Sequence, residues 1–334
     1  MVYPCSFVSI AKKRLEELPW LERDKWHKVR TLAEANYGKV YLAEASLPGL
    51  PRVFALKQMR RAAVLANGRR LESAANEIHA ALAVARLRLP YVAKVLFAAQ
   101  DQDHFYLATE YCEHGELFSV LQSKGRFKSE QVLREVSWQV LQTLQALHNT
   151  GVAHRDVSLE NLLVAADGSL RLIDFGQALL IHSPGRMDGE APVSPLAEGL
   201  PGKDAYRAPE TIALQPYLAS KLDVFACGIL MYTLAVGSYP YSNGNSGYLF
   251  PSEELRAERC VRLAPQLREL GFEDCVSPGL LDLLEQMLAP DPEKRITAEE
   301  ALHHPWLAGT LDGLDALLSE GLDLEGVCVS EDLN

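Results

Sequence analysis

The sequence predicts an α+β fold in which a strand-rich first third precedes a larger, mainly helical part. Short apolar segments of strand-like composition lie near the beginning, at residues 29–32, 40–42, 53–57 and 105–108. One helical run interrupts them, from about Glu72 to Leu87. Apolar residues recur at helical spacing further on, at residues 132–147, 280–287 and 298–302. The predicted core stripe of the first of these helices consists of Trp138, Val140, Leu141, Leu144 and Leu147.

Composition bounds the class of protein. The chain has 334 residues, 48% of them hydrophobic, which is enough for the core of one enzyme-sized unit. Its six cysteines form no Cys-x-x-Cys pair and no long apolar segment opens the chain, so we expect a reducing, cytoplasmic location, with the nucleus as the alternative. No apolar stretch is expected to approach 18 residues, so no membrane span is predicted. The net charge of −11 argues against general nucleic-acid binding.

The most informative segment is His154-Arg155-Asp156-Val157-Ser158-Leu159-Glu160-Asn161, followed by Asp174-Phe175-Gly176. Asp156 is placed to orient or deprotonate a hydroxyl group. Asn161, five residues later, and Asp174, 18 residues later, can hold Mg²⁺ against the phosphates of a nucleotide. Either tripeptide alone is a weak signal, but the ordered set at this spacing strongly indicates phosphoryl transfer.

The residues around this segment predict how its two halves meet. Val152-Ala153 and Leu162-Leu163-Val164 have strand-like composition, and Asp167-Gly168 is a hairpin signal before a strand at 170–173. The hairpin is expected to bring Asn161 and Asp174 to one edge.

At these residues the chain resembles the eukaryotic protein kinases, and further motifs follow in the family's order. The resemblance implies that Lys57 contacts the phosphates of the nucleotide and that Glu77, on a helix, pairs with Lys57. It also implies that Asp223 accepts backbone hydrogen bonds from the catalytic loop. It also makes Arg295 the partner of Glu210 in Ala-Pro-Glu. His304-Pro305-Trp306 is similar to the end of calcium/calmodulin-kinase-like relatives.

The resemblance implies a two-lobed protein-kinase fold with three regions. Residues 1–28 precede the domain; Ala11 to Leu18 could form one or two helical turns, and the favoured interpretation is a solvated N-terminal extension that packs loosely on the small lobe. The kinase domain would cover 29–307, with a small β-rich lobe at 29–111 and a larger helical lobe at 112–307. An acidic tail would follow at 308–334; it has seven acidic residues and no Lys or Arg, which disfavours a calmodulin-binding or basic pseudosubstrate role.

The activity implied by the resemblance is phosphorylation of serine or threonine in protein substrates, with ATP and Mg²⁺ as cofactors. Serine and threonine are favoured because the catalytic loop lacks the Ala-Ala-Arg or Arg-Ala-Ala segment typical of tyrosine kinases. The nucleotide-contacting residues would be Leu32, Gly38, Val40, Ala55, Lys57, Glu77, Thr109, Glu110, Cys112, Glu116 and Leu163. Thr109 would be the gatekeeper. Glu116 has two interpretations of equal weight, a ribose contact and a charge at a helix N-terminus.

A first departure from the family lies in the phosphate loop, Ala33-Glu34-Ala35-Asn36-Tyr37-Gly38. Kinases usually carry three glycines here, and only Gly38 is present. Alanine should stiffen the loop, at a cost of about 1 kcal/mol wherever φ must be positive, and weaken nucleotide binding. The same loss would suit a pseudokinase scaffold or a nucleotide-binding interaction module, which remains the alternative.

A second departure concerns the catalytic lysine. Ser158 stands where serine/threonine kinases usually place lysine, and Lys203 stands where they usually place threonine. The family brings these two positions together, so we expect an exchange in which Lys203 supplies the ammonium. The alternative is a solvent-facing Lys203.

Two expectations concern substrate and activation. Glu160 and Glu116 occupy positions where basic-preferring relatives bind arginine before the phosphoacceptor. Arg155 corresponds to an arginine that binds a loop phosphate, yet the usual phosphoacceptor position falls near Gly199, which has no hydroxyl. We therefore expect a loop ordered without that phosphate, with a standing charge from Glu198 and more distant candidate sites at Ser183 and Ser194.

Overall fold

A strand-rich lobe and a helical lobe are joined through the hinge that follows strand β5 in a computed structural model of the chain. The structure describes residues 15–21, 26–45, 49–65, 74–181, 193, 200–240 and 263–308. The predictions about Ser183, Ser194, Glu198, Gly199 and the tail beyond Ala308 lie outside the described residues.

The small lobe is built on a five-stranded antiparallel sheet of order β1-β2-β3-β5-β4. The strands are β1 (Trp26–Ala35), β2 (Gly38–Ala45), β3 (Val53–Arg60), β4 (Val95–Gln100) and β5 (His104–Thr109). Strand β1 begins three residues before the predicted start of the domain. Alternation decides which side chains face the core: Phe54 and Leu56 of β3 are fully buried.

Two helices pack on this sheet, α1 (Arg61–Leu65) and α2 (Ala74–Leu87). Alanine has the highest helix propensity, and α2 is rich in it. The buried positions Ala74, Ile78 and Ala81 recur at helical spacing and face a core formed with β3, β4 and β5. Helix α2 therefore lies close against the sheet that carries Lys57.

The large lobe is mainly helical, as predicted. Its described helices are α3 (Leu117–Lys124), α4 (Glu130–Asn149), α5 (Pro209–Ile212), α6 (Ala219–Val236), α7 (Leu263–Leu270), α8 (Pro278–Met287) and α9 (Ala298–Leu302). Ser129 caps α4 by accepting a hydrogen bond from the Val132 N–H. In the predicted stripe of α4, four residues are fully buried, whereas Trp138 is only partly buried.

Two short strand pairs connect the large lobe to the cleft. Strands β7 (Leu162–Val164) and β8 (Leu170–Leu172) form the predicted antiparallel hairpin. Strands β6 (Val152–Ala153) and β9 (Leu179–Leu180) pair beside it. Backbone bonds from Ala93 to Leu172 and from Leu172 to Tyr91 tie the hairpin to the segment before β4, so the two lobes share a hydrogen-bonded junction.

Helix α6 corrects one expectation from the sequence. The prediction that no apolar stretch approaches 18 residues is wrong, because Ala219–Val236 has that length and a mean hydropathy of 1.5. However, 89% of this window is buried inside the fold, the position of a core helix. At its start Asp223 accepts backbone hydrogen bonds from His154 and Arg155, at 2.8 and 2.7 Å, and so holds the catalytic loop as expected.

A buried ion pair joins the segment between α8 and α9 to helix α5. The guanidinium of Arg295 donates to both carboxylate oxygens of Glu210, at 2.7 and 2.9 Å. Arg295 is 1% exposed and also donates to three backbone carbonyls, so hydrogen bonds within the protein compensate its buried charge. The predicted pairing of these residues is confirmed.

Candidate active site

A cleft of about 350 Å³ lies between the small-lobe sheet and the β7–β8 hairpin. Its walls are partly apolar, with Val40 and Ala55 from the sheet, Leu163 from the hairpin and Thr109 at the end of β5. Charged groups converge at one side: Lys57, Glu77, Glu116, Glu160, Asp174 and Lys203. A cleft that combines apolar walls with a group of charged side chains suits a planar ring carrying phosphates.

The centre of the charged side is an ion pair. The Lys57 ammonium donates to Glu77 Oε1 at 2.5 Å and lies 3.6 Å from Asp174 Oδ2. The side chains of Lys57 and Glu77 are only 17% and 7% exposed, so the charges compensate each other away from bulk water. The pair expected from the apolar surroundings of Lys57 therefore forms, and it places a cation beside a second carboxylate.

Asp174 is held in an unusual backbone conformation, with φ at 61°. Its side chain accepts the Gly176 N–H at 3.0 Å. Burial alone would raise the pKa of Asp174, but the Lys57 ammonium and the Gly176 N–H outweigh it, and the pKa lies below its ordinary value. A left-handed conformation at a non-glycine residue is a feature of functional sites, and here it presents an ionised carboxylate to the cleft.

Asn76, which the sequence analysis missed, connects α2 to the segment after Asp174. Its side-chain amide donates to the carbonyls of Gly176 and Ala178, at 3.1 and 2.9 Å. Phe175 is buried here and packs edge-on against His154, with ring centroids 4.9 Å apart. Helix α2, the metal-site segment and the catalytic loop are therefore in direct contact.

Asp156 and Asn161 face each other across the catalytic loop. The Asn161 amide nitrogen donates to the Asp156 carbonyl at 2.7 Å and to its carboxylate Oδ2 at 2.9 Å. The Asp156 Oδ1 atom is buried and has no hydrogen-bond partner within the described part of the chain. Burial raises the pKa of Asp156, and the Lys203 ammonium and His154 oppose that shift. An unsatisfied buried acceptor of raised basicity suits a group that receives a hydroxyl proton.

Lys203 reaches the catalytic loop from the opposite segment. Its ammonium donates to the hydroxyl oxygen of Ser158 at 2.5 Å and lies 3.7 Å from Glu160 Oε2. Ser158 is fully buried, while the Lys203 side chain is 37% exposed. The expected juxtaposition of Ser158 and Lys203 is present, which disfavours the solvent-facing alternative.

The segment that carries Lys203 is fixed by Gly202. Gly202 has φ at +74°, and a Cβ there would lie 3.2 Å from the carbonyl oxygen of Arg155. Its N–H donates to the Gln177 side chain at 2.8 Å. The close approach and the positive φ explain why glycine precedes the lysine.

The Arg155 guanidinium is buried and engaged by the protein. It donates to the Gln177 carbonyl at 2.7 Å and to the Tyr217 hydroxyl at 3.1 Å. Tyr217 pairs with Val193 through backbone hydrogen bonds of 2.8 and 3.0 Å. Neither partner was found from the sequence, because no motif marks Gln177 or Tyr217. The Arg155 guanidinium thus has hydrogen-bond acceptors from the protein itself, at the position to which the resemblance to kinases assigned a loop phosphate.

Four predicted nucleotide contacts do not line the cleft: Leu32, Gly38, Glu110 and Cys112. Leu32 falls at a register shift in β1, which removes it from the regular alternation. The Glu110 carboxylate faces Arg171 and the Lys94 N–H instead. Burial raises the pKa of the Cys112 thiol to about 12, so at neutral pH the thiol is protonated. The predicted adenine contact of residues 110–112 is through backbone groups, so these side-chain positions leave that prediction standing.

The phosphate loop is a tight hairpin rather than an open loop. Ala33 pairs with Val40 and Ala35 with Gly38, and neither alanine has a positive φ. The strain expected from alanine at positive φ is therefore absent, because the strands continue to a turn at residues 36–37. Gly38 is needed for a different reason: a Cβ there would lie 1.9 Å from the carbonyl oxygen of Gln58 in β3.

Glu116 lines the cleft mouth and has no side-chain hydrogen bond at its helix-capping position. Burial and the neighbouring Glu160 raise its pKa, while Lys203 opposes them. Glu160, by contrast, already faces Lys203 and lies 3.5 Å from the Tyr206 hydroxyl. The two carboxylates thus differ in their availability to a ligand, a difference that no sequence motif indicates.

The residues present fit a magnesium ion. The ligands expected of Mg²⁺ are oxygen atoms, and Asp174 offers an ionised carboxylate. Asn161 uses its amide N–H₂ on Asp156, which leaves its carbonyl oxygen as the acceptor end. Both residues flank the β7–β8 hairpin, and the Ile173 N–H donates to the backbone carbonyl of Asn161 at 2.9 Å, which leaves the side-chain carbonyl of Asn161 uninvolved in that bond. The hairpin therefore holds the two candidate ligands next to each other.

Comparison with known proteins agrees with this geometry. The family model described as "Protein kinase domain" matches residues 26–307. The chain therefore belongs to the protein kinase family, and the two-lobed α+β fold is the family's.

Similar curated proteins carry kinase names. CBL-interacting protein kinase 4 of Oryza sativa subsp. japonica is 30% identical over 303 residues, which cover 88% of this chain and 61% of that protein. Maternal embryonic leucine zipper kinase of Xenopus laevis is 31% identical, over 83% of this chain and 38% of that protein. Serine/threonine protein kinase OSK3 of Oryza sativa subsp. indica is 30% identical, over 83% and 49%. The chain spans between about two fifths and three fifths of these relatives.

The paired alanines of the phosphate loop generate a first prediction. Changing Ala33 and Ala35 together to glycine should lower the KM for ATP and leave kcat nearly unchanged. Glycine removes two Cβ atoms from residues that line the cleft, so the backbone at residues 33–35 can approach the phosphates more closely. ATP-dependent turnover at varied ATP concentration measures this, with a melting curve to verify folding. An unchanged or higher KM would show that the alanines do not limit nucleotide binding.

Proposed function

We propose that the protein is a protein kinase that transfers the γ-phosphoryl group of Mg-ATP to serine or threonine side chains of protein substrates. The observation that carries this proposal is the ion pair between Lys57 Nζ and Glu77 Oε1, 2.5 Å apart, with Asp174 Oδ2 3.6 Å from the same ammonium. A scaffold has no need of a buried cation directed at an ionised carboxylate in a cleft. Family membership and the names of the similar kinases support the same activity.

The residues divide the reaction between them. Lys57, held by Glu77, binds phosphate oxygens; Asn161 and Asp174 would hold Mg²⁺, which neutralises phosphate charge when bound. Asp156 accepts the proton of the substrate hydroxyl as its oxygen bonds to the γ-phosphorus, while the bond to the β–γ bridging oxygen breaks and ADP leaves. The raised pKa and the unpartnered Oδ1 of Asp156 support this role.

Lys203 is proposed as the cation that stabilises charge on the transferring group. Its contact with Ser158 at 2.5 Å, beside Asp156, supports the exchange of the usual lysine and threonine positions. Electrostatic stabilisation of this kind is often the largest single contribution to catalysis. Lys203 would therefore stabilise the charge on the transferring phosphoryl group from the opposite segment, in the role that the resemblance assigns to a lysine of the catalytic loop.

A reducing, cytoplasmic setting is proposed alongside this activity. The described cysteines Cys112, Cys227 and Cys275 are all free thiols. Burial raises the pKa of Cys227, so it is an inert core residue.

Catalytic turnover tests the proposed function itself. Wild-type protein should transfer phosphate from Mg-ATP to a library of Ser/Thr peptides, and Asp174→Ala should abolish transfer because a metal ligand is lost. Glu285→Ala removes an exposed carboxylate from α8 and serves as the matched control. Equal, zero turnover of the wild type and of Asp174→Ala would favour a pseudokinase scaffold or a nucleotide-binding interaction module.

The exchange of Ser158 and Lys203 has a reciprocal test. Lys203→Ala should lower kcat by roughly 10²-fold or more with little effect on ATP binding. The double variant Ser158→Lys with Lys203→Thr should recover activity relative to either single variant, because the ammonium returns from the other side. Lys294→Ala, at a surface lysine whose side chain is 81% exposed, is the matched control. Full activity of Lys203→Ala would end the assignment.

Substrate choice is proposed to favour arginine two or three residues before the phosphoacceptor. Glu116 should contribute more than Glu160, since Glu160 already pairs with Lys203. A positional peptide library should therefore lose arginine selection more strongly with Glu116→Gln than with Glu160→Gln. Glu285→Gln is the control for loss of an exposed acid. Selection of proline or of acidic residues by the wild type would contradict the proposal.

A further inference from the structure

The described part of the N-terminal extension, residues 15–21, is not loosely packed. Leu15–Glu17 form one 3₁₀ turn, after which the chain runs beside the end of β4. The Leu21 N–H donates to the Gln100 carbonyl, and the Gln100 N–H donates to the Pro19 carbonyl, each at 2.9 Å. The segment thus adds to the edge of the sheet, which corrects the expectation of a loosely packed extension.

Gln100 fixes this segment through its side chain as well. It is 2% exposed, and its amide nitrogen donates to the Leu18 carbonyl at 2.7 Å. Its amide oxygen accepts from the Arg61 guanidinium at 2.6 Å. A buried amide bonded at both ends specifies one position for its neighbours. Residues 18–21 are therefore held in one place relative to α1 and β4.

Leu15 connects this segment to helix α2. Leu15 is 3% exposed and belongs to the same buried cluster as Ala74, Ile78 and Ala81 of the helix, and Leu18 packs against that cluster. The same cluster contains Phe105 and Leu107 of β5. Leu15 and Leu18 therefore add to the apolar contacts that hold α2 against the sheet.

The same stretch of α2 carries the catalytic contacts. Ile78 shares the buried cluster with Leu15. The residue before it, Glu77, binds Lys57. The residue before that, Asn76, donates hydrogen bonds to the carbonyls of Gly176 and Ala178. Since a helix moves as a unit, a shift of α2 away from the sheet would draw Glu77 away from Lys57. The position of Leu15 and the geometry of the ion pair are thus mechanically coupled.

We propose that residues 15–21 are a positioning element for phosphoryl transfer, in which Leu15 and Leu18 hold α2 so that Glu77 remains bonded to Lys57. This inference rests on the proposed kinase activity. The protein supplies from its own N-terminal segment the apolar contact that keeps the ion pair formed.

Full-length Leu15→Ala tests the proposal. Its kcat should fall by at least about tenfold, because a cavity beside α2 lets the helix leave its position. Leu15→Met, which conserves the volume, should retain most activity. Trp20→Ala is the matched control: it truncates a larger side chain in the same segment, but one that is 64% exposed. Leu280→Ala, a buried substitution in α8, controls for lost stability.

A double-mutant cycle separates positioning from general destabilisation. In a Glu77→Gln background, Leu15→Ala should cost no further activity, because the ion pair on which it acts is already broken. A further tenfold loss in that background would overturn the proposal, and so would equal kcat for Leu15→Ala and Trp20→Ala.

Hydrogen exchange gives a readout that does not require turnover. Amides of residues 74–87 should exchange faster in Leu15→Ala than in the wild type, Trp20→Ala or Leu280→Ala. Accelerated exchange in a protein without transferase activity would uphold the coupling and reject the kinase function. Unchanged exchange in an active protein would reject the coupling and leave the kinase function standing.

Discussion

The ion pair between Lys57 and Glu77 is the constraint on which the rest of the cleft depends. Lys57 belongs to a strand and Glu77 to a helix, so their contact fixes the distance between two elements whose paired residues are 20 positions apart along the chain. Both charges are largely shielded from water, and removing one partner of a buried pair typically costs about 3–5 kcal/mol. Only an arrangement that keeps α2 against the sheet avoids that cost.

The contacts around the pair extend this constraint into the large lobe. Asn76 bonds the backbone after Asp174, Phe175 packs on His154, and Asp223 holds the catalytic loop from below. Each contact joins elements far apart in sequence. The two lobes therefore meet through a set of polar and aromatic contacts, and the cleft lies beside these contacts, between the small-lobe sheet and the β7–β8 hairpin.

Much of this arrangement was predictable because the motifs encode it locally. The β7–β8 hairpin follows from a turn signal between two apolar triplets, and it brings Asn161 and Asp174 to the same edge. The pairing of Lys57 with Glu77 follows from a charge placed in an apolar strand. Arg295 with Glu210 and Ser158 with Lys203 follow from motif positions that meet throughout the family.

The remainder depends on contacts for which the sequence has no signal. Gln177 and Tyr217 accept hydrogen bonds from Arg155 although they lie 22 and 62 residues away along the chain, and neither residue lies in a motif. Likewise, the penalty assigned to the alanines assumed an open loop, whereas cross-strand pairing extends the hairpin to residues 36–37. Backbone conformation at such positions is decided by tertiary pairing rather than by residue type.

The location of Lys203 has a consequence for how occupancy of the cleft relates to competence. The ammonium belongs to a segment whose position depends on Gly202 fitting against the Arg155 carbonyl and bonding to Gln177. The cation proposed to bind phosphate, Lys57, belongs instead to the sheet. A molecule with the 200–203 segment displaced would keep the Lys57 ammonium in the cleft and lose that of Lys203. Bound nucleotide is then no measure of readiness to react, and ligands that fill the cleft equally well can differ in whether they trap a reactive or an unreactive enzyme.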